Sequence, residues 1–326
     1  MKNVIPEFLS LLKGAIDSTD IPLNVSRSAL QGDPNIKKIS NYIVKKVAES
    51  LKKLFKQDRA RFESVWEDIG LFVKYGVVSD TKFDELMRDK VIFKNSDDKY
   101  MTLTEYTESL PKDNEKLKGK VVYFEQGTSD QALRDQLKEA GVQAITMDNY
   151  IDPHFMQHTE MHKQGEIELK FTLIDNAIED ALETENVSDT DLKIKDLFQT
   201  TLVGETKENE TPSMEIEVKN FKNSTTAAYF KVDESMKRFA QMTKAMGQNN
   251  FAMPTKKTLV VNPAHGLVQN AFKLAETEGK KELADKICHH IQDLATISGE
   301  GLDEENKKTF VQRSQDLISE LSNLAL

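Results

Sequence analysis

Apolar residues recur at every third and fourth position along most of this chain, and at every second position in a few short stretches. The first spacing marks helices with one buried face, the second half-buried strands. Residues 6–16 carry Phe8, Leu9, Leu12 and Ile16 at helical spacing, with Pro6 suited to a first helical position, so a short amphipathic helix is expected there. A long helix is expected from the stripe Ile36, Ile39, Ile43, Val47, Leu51 and Leu54-Phe55, its other face covered by lysines such as Lys45-Lys46 and Lys52-Lys53. Phe62, Val65-Trp66, Ile69 and Phe72-Val73 mark another, in which Trp66, the sole tryptophan, stands at core spacing. A short helix near residues 82–90 and a turn at Asn95-Ser96-Asp97-Asp98 follow.

The pattern changes near Gly119. Val121-Val122-Tyr123-Phe124 reads as a buried strand, and Thr128 with Gln131 as a capping box for a helix that Gly141 ends. Residues 142–147 read as a second strand, Asp152-Pro153 as the start of a helix, and the alternation Ile167-Glu168-Leu169-Lys170-Phe171 as a third strand. Strand, helix, strand, helix, strand implies a small, mostly parallel α/β unit. Gly127-Thr128-Ser129-Asp130 lacks the glycine spacing of a phosphate loop, so no nucleotide site is assigned to it. Seven acids and no base between residues 175 and 191 make the clearest expected domain boundary. Beyond it come a helix with Ile194, Leu197, Phe198 and Leu202, strands at 214–218 and 227–232, and a strand–helix junction at Leu259-Val260-Val261-Asn262-Pro263. Two closing helices carry Leu283, Ile287, Ile291 and Leu294, then Phe310, Leu317, Ile318 and Leu321. The fold class is therefore α/β in the broad α+β sense.

Composition narrows the function classes. A length of 326 residues suits two or three domains. The net charge of −10 argues against nucleic-acid or anionic-membrane partners. No window approaches eighteen uncharged apolar residues, the N-terminus does not make a convincing signal peptide, and the cytoplasm is the default compartment. Cys288 is the single cysteine, so no internal disulfide is possible, and its place on an apolar stripe marks it as a core residue rather than a nucleophile. His154, His158 and His162 lie four apart, near one helical face. His158-Thr159-Glu160-Met161-His162 fails the zincin pattern and no third ligand is evident, so the histidines are read as a solvated face and no metal site is assigned.

Three stretches bear on function. Pro22-Leu23-Asn24-Val25-Ser26-Arg27 reads as a loop feeding a helix. Arg27 falls in the first turn, against the positive end of the dipole, which points to a nearby anion or to an ordinary carboxylate partner. Met236, Phe239, Met242 and Met246 share a stripe of roughly 120° on one helix, and Phe251 and Met253 follow in a polar loop. Methionine-rich surfaces repack around varied apolar partners, although a helix buried on its own core, or one lying on a membrane, carries the same stripe. The two closing helices form either an intrachain hairpin or an isologous four-helix contact with a second copy.

The stretch Pro22–Arg27 with Leu30-Gln31 resembles a signature of the ninety-kilodalton heat-shock chaperone family. So do Val4-Ile5-Pro6-Glu7-Phe8-Leu9, Gly14-Ala15-Ile16-Asp17-Ser18, Lys37-Lys38-Ile39 and Ile43-Val44-Lys45-Lys46-Val47. The resemblance runs along essentially the whole chain. It implies a late middle domain over 1–112, a small α/β/α subdomain over 113–176, and a C-terminal client-contact and dimerisation domain over 177–326. It implies an ATP-dependent chaperone that binds non-native clients as a homodimer. Arg27, supported by Asn24 and Gln31, would reach the γ-phosphate of ATP, held with Mg in a separate N-terminal domain. Met236, Phe239, Met242, Met246, Phe251 and Met253 would contact clients. Leu283, Ile287, Ile291, Leu294, Phe310, Leu317, Ile318 and Leu321 would form the dimer bundle. In that family the ATP-binding domain lies upstream of the matched region, so a polypeptide of this sequence is not expected to hydrolyse ATP by itself. The alternative is a nucleotide-independent dimeric scaffold or holdase that binds partners through the methionine helix.

Overall fold

The computed structural model describes residues 5–14, 34–125, 131–162, 168–182, 184–204, 214–221, 225–245, 257–299 and 301–325. It divides into two compact units, one of residues 1–108 with 147–170, the other of 109–146 with 171–326. The fold is a mixed α/β one, with ten short strands and thirteen α-helices among the described residues.

The first unit opens with a single 3-10 turn, Glu7–Leu9, where a helix over residues 6–16 is expected; residues 10–14 are not helical, and Ile16 lies outside the described residues. Phe8 and Leu9 are buried while Leu11 and Leu12 stay exposed, so one turn satisfies the apolar pair. Helix nucleation is costly, and among the described residues 10–14 the apolar side chains, Leu11 and Leu12, bury too little to repay it. Helix α1 (Pro34–Gln57) buries Ile36, Val44 and Ala48 and turns Lys37, Lys38, Lys45 and Lys46 to solvent. Asp58 separates it from α2 (Arg59–Ser64) and caps α2 by accepting the Arg61 N–H at 3.0 Å. Helix α3 (Trp66–Ser79) leads to α4 (Thr81–Met87), capped by Asp80 through the Phe83 N–H at 2.9 Å. Phe8 and Phe83 close over Gly76, where an added Cβ would meet both rings at 2.7–2.8 Å. The Asn95 turn proves to be the tip of a hairpin between β1 (Ile92–Lys94) and β2 (Tyr100–Thr102). A reciprocal Thr102–Glu105 capping box then starts α5 (Leu103–Ser109).

The second unit begins with β3 (Lys120–Phe124), α6 (Gln131–Glu139) and β4 (Ile145–Thr146), with β3 and β4 parallel. The expected strand over 142–147 is only two residues long. The Val142 N–H is already bonded to Leu137 O at 2.8 Å and the Gly141 N–H to Lys138 O at 2.9 Å, in a Schellman turn with Gly141 at φ 76°. The chain next contributes α7 (Asp152–Met161) to the first unit. There Asp152 forms a buried ion pair with Lys74 at 2.7 Å, its other carboxylate oxygen accepting the Asn149 N–H at 2.9 Å. Back in the second unit, β5 (Lys170–Leu173) completes a sheet of order β4-β3-β5.

The acid-rich stretch holds α8 (Ile174–Ala181) and no unit boundary. Its carboxylates meet lysines distant in sequence: Glu179 pairs with Lys231 at 3.0 Å and Lys219 at 3.2 Å, and Asp180 with Lys120 at 2.7 Å. Strand β6 (Thr184–Glu185) precedes α9 (Asp189–Leu202), whose capping box joins Ser188 and Asp191. Strands β7 (Met214–Val218), β8 (Asn220–Phe221) and β9 (Ala228–Val232) follow, with β8 antiparallel to β6. Helix α10 (Glu234–Ala245) leads toward β10 (Lys257–Val261), which runs parallel to β7 and antiparallel to β9. Helices α11 (Gly266–Ala275), α12 (Lys281–Ser298) and α13 (Glu304–Ala325) end the chain. The core joins Phe198, Leu259, Val261, Val268, Leu283, Ile287 and Ile291. Cys288 lies in it fully buried, and burial, with the Asp285 charge, pushes its thiol up to about 12. That is an inert core thiol.

Candidate functional site

Helix α10 is the element on which the methionine stripe falls. The Asp233 carboxylate closes its first turn by accepting the Met236 N–H at 3.0 Å. The Ser235 hydroxyl, then that N–H, hold Asp233 below the usual carboxylate value. Glu234 accepts the Leu173 N–H at 3.3 Å, and Arg238 donates to Phe171 O at 2.7 Å while pairing with Glu234. Lys237 lies 3.6 Å from Glu125. The polar side of the helix is thus tied down by charged groups. On the other side Phe239 is 49 % exposed, and Met236 and Met242 are half-buried. A large aromatic left half in water, flanked by two flexible thioethers on a pinned helix, is an adaptable apolar contact surface. On the polar side of α10, at Lys237, lies a cavity of about 330 Å³, lined also by Phe124, Leu173, Phe230, Val232 and Gln292 among others.

The closing helices sort the expected interface residues into two groups. Leu283, Ile287, Ile291 and Leu317 are buried in their own chain's core. Leu294, Ile318 and Leu321 are 39 %, 65 % and 51 % exposed, and Val311 is 51 % exposed. Phe310 is half-buried, its ring stacked on His290 at 5.6 Å. Ion pairs Arg313–Asp293 and Lys286–Glu320 (3.2 Å) hold α13 along α12. Val311, Ile318 and Leu321 fall within an arc of roughly 80° on α13, at about 100° per residue.

The histidines of α7 do not form a uniform solvated face. His158 is mostly covered and its Nε2 stands 3.3 Å from Asp84 on α4, while the His162 ring packs 4.3 Å from the His158 ring. His154 is not part of this group. His265 has a structural role that its sequence position did not reveal: it caps α11, its Nδ1 accepting the Leu267 N–H at 3.2 Å.

The family model described as Hsp90 protein matches residues 1–325. The chain belongs to the Hsp90 family. Similar curated proteins are chaperone proteins HtpG. That of Bacteroides fragilis strain YCH46 is 31% identical over 294 residues, which is 87% of this chain and 42% of the relative. That of Porphyromonas gingivalis strain ATCC 33277 is 32% identical over 320 residues, 94% of this chain and 46% of the relative. That of Fusobacterium nucleatum is 26% identical over 330 residues, 97% of this chain and 51% of the relative. The chain thus spans about half the length of the curated relatives it matches. In this Hsp90 chain Arg27, Asn24 and Gln31, together with Met246, Phe251 and Met253, lie outside the described residues. No helix among the described residues is long and apolar enough to cross a membrane.

Proposed function

We propose that this chain supplies the client-contact and self-association surfaces of an ATP-driven chaperone, with Met236, Phe239 and Met242 meeting non-native proteins. The observation that carries this reading is the half-exposed Phe239 between two methionines on a helix pinned by Glu234 and Arg238. Membership of the Hsp90 family supports it, as do relatives named chaperone proteins. Pairing with a second copy would use Leu294, Val311, Ile318 and Leu321, leaving Leu283, Ile287 and Ile291 to their own core. Arg27, with Asn24 and Gln31, is assigned to the γ-phosphate of ATP and Mg presented by another part of the assembled protein, a role that stabilises charge on a transferring phosphoryl group. That assignment rests on the family signature.

The test is suppression of light scattering by a heat-unfolded model protein. Phe239→Asp should weaken suppression several-fold at equal concentration while leaving the melting temperature nearly unchanged, because the side chain is already half in water. Equal suppression by the variant and the parent would overturn the assignment. The dimeric holdase reading draws on the same α10 surface, which needs no nucleotide to be formed. Replacing Arg27 by alanine in a protein that also carries the nucleotide-binding part separates the two: turnover is lost if ATP drives the work, and client protection is unaltered if it does not.

A further inference from the structure

On the first unit, far in sequence from the α10 surface, three side chains of metal-ligating type converge. Asp84 on α4, His158 on α7 and His162 just past the end of α7 bring their ligand atoms within 4.8 Å of one another. The Nε2 atom of His158 is buried and makes no hydrogen bond, although it faces Asp84 Oδ1 at 3.3 Å. The Nδ1 atom of His162 is 2.7 Å from the backbone oxygen of His158. A ring nitrogen that close to a carbonyl carries the proton, which leaves the His162 Nε2 lone pair free. A backbone carbonyl that accepts one ring N–H and so frees the other nitrogen is the arrangement that orients metal-binding histidines.

We propose that Asp84, His158 and His162 bind one divalent transition-metal ion of the zinc class, with water completing its coordination. Two imidazoles and one carboxylate suit zinc and its neighbours in the first row, whereas magnesium and calcium take oxygen ligands. Zinc–ligand bonds of about 2.0–2.2 Å place tetrahedral ligands about 3.4 Å apart. The Asp84–His158 spacing of 3.3 Å already fits, and the exposed His162 has only a short distance to close, because the ligand atoms of all three residues lie within 4.8 Å of one another. Arg88 also holds the Asp84 carboxylate, its Nε at 2.8 Å from the same Oδ1 that faces His158 and its Nη2 on Oδ2. A carboxylate has about four lone-pair sites, so the guanidinium and a metal can share it. The Arg88 charge weakens the site, which makes metal a reversible clamp between α4 and α7 rather than a condition of folding. The proposal is independent of the chaperone reading, because none of its residues lies on α10 or α13.

The test uses the untagged, metal-stripped chain at pH 7.5, titrated with zinc chloride by calorimetry and with cobalt chloride by visible absorption. One equivalent of zinc should bind, and cobalt should give the intense visible bands of a low-coordinate site. His158→Ala and His162→Ala should each weaken binding at least tenfold. His154→Ala, on the same helix but outside the group, should leave it unchanged. The exposed position of His162 means that its variant keeps the fold, which circular dichroism checks. Absence of a one-equivalent step, or a step that survives His162→Ala, would overturn the proposal.

Discussion

At the scale of single residues, the buried pair Lys74–Asp152 makes the sharpest demand. Both side chains are almost fully covered, and Lys74 also lies 4.9 Å from the Phe93 ring. Breaking such a pair leaves an unbalanced buried charge and costs about 3–5 kcal/mol, whereas replacing both partners by apolar groups of similar volume is often neutral. Asp152→Asn should therefore lower the urea midpoint sharply, and Lys74→Met with Asp152→Leu should recover most of it. A single variant as stable as the parent would show that the pair is not held in the folded state. Neither the pair nor the Asp84 group was legible in the sequence. Asp152 looked like a cap because its short carboxylate before a proline is what caps look like. Asp84 offered no signal, because the α4–α7 packing that makes it a neighbour of His158 joins positions 74 residues apart. Trp66 and Cys288 were legible, since apolar periodicity alone places a residue inside.

At the scale of elements, periodicity foretold the long helices and the strands near 121–124, 214–218, 227–232 and 259–261. It did not foretell the hairpin of β1 and β2, whose three-residue strands are too short to show alternation. Nor could it say which apolar residues of α12 and α13 face their own core, because a buried stripe and an interface stripe have the same spacing. Two substitutions separate them. Ile291→Ala removes core volume and should cost about 2–5 kcal/mol of stability. Ile318→Asp, at 65 % exposure, should leave stability nearly intact and shift any dimer toward monomer in sedimentation. The reverse outcome would exchange their roles. The acid-rich α8 carries a pH prediction. Burial opposes ionisation of Glu179, but hydrogen bonds and charges from Lys231 and Lys219 outweigh it and hold its carboxyl below the usual 4.5. A depressed folded value means stability that is present above pH 4.5 and lost as pH falls through the folded value. Glu179→Gln should flatten the fall in stability below pH 4.5, and an unchanged acid slope would remove Glu179 from the account.

At the scale of the whole molecule, self-association is the property to measure first. Sedimentation over a concentration series should show dimers for the full chain and monomers for a version ending before Leu302, which lacks α13. A monomer at high concentration would mean that the exposed stripe of α13 serves another purpose. The division into units has a consequence of its own. Residues 147–170 belong with 1–108, yet the chain builds β3, α6 and β4 of the other unit before reaching them. On a ribosome adding about 5–20 residues per second, α1 to α5 must wait roughly 3–12 s for α7 to emerge. Until then the Lys74 ammonium has no Asp152. Early synthesis therefore leaves the first unit incomplete, and cutting the gene after residue 108 would make that passing state permanent.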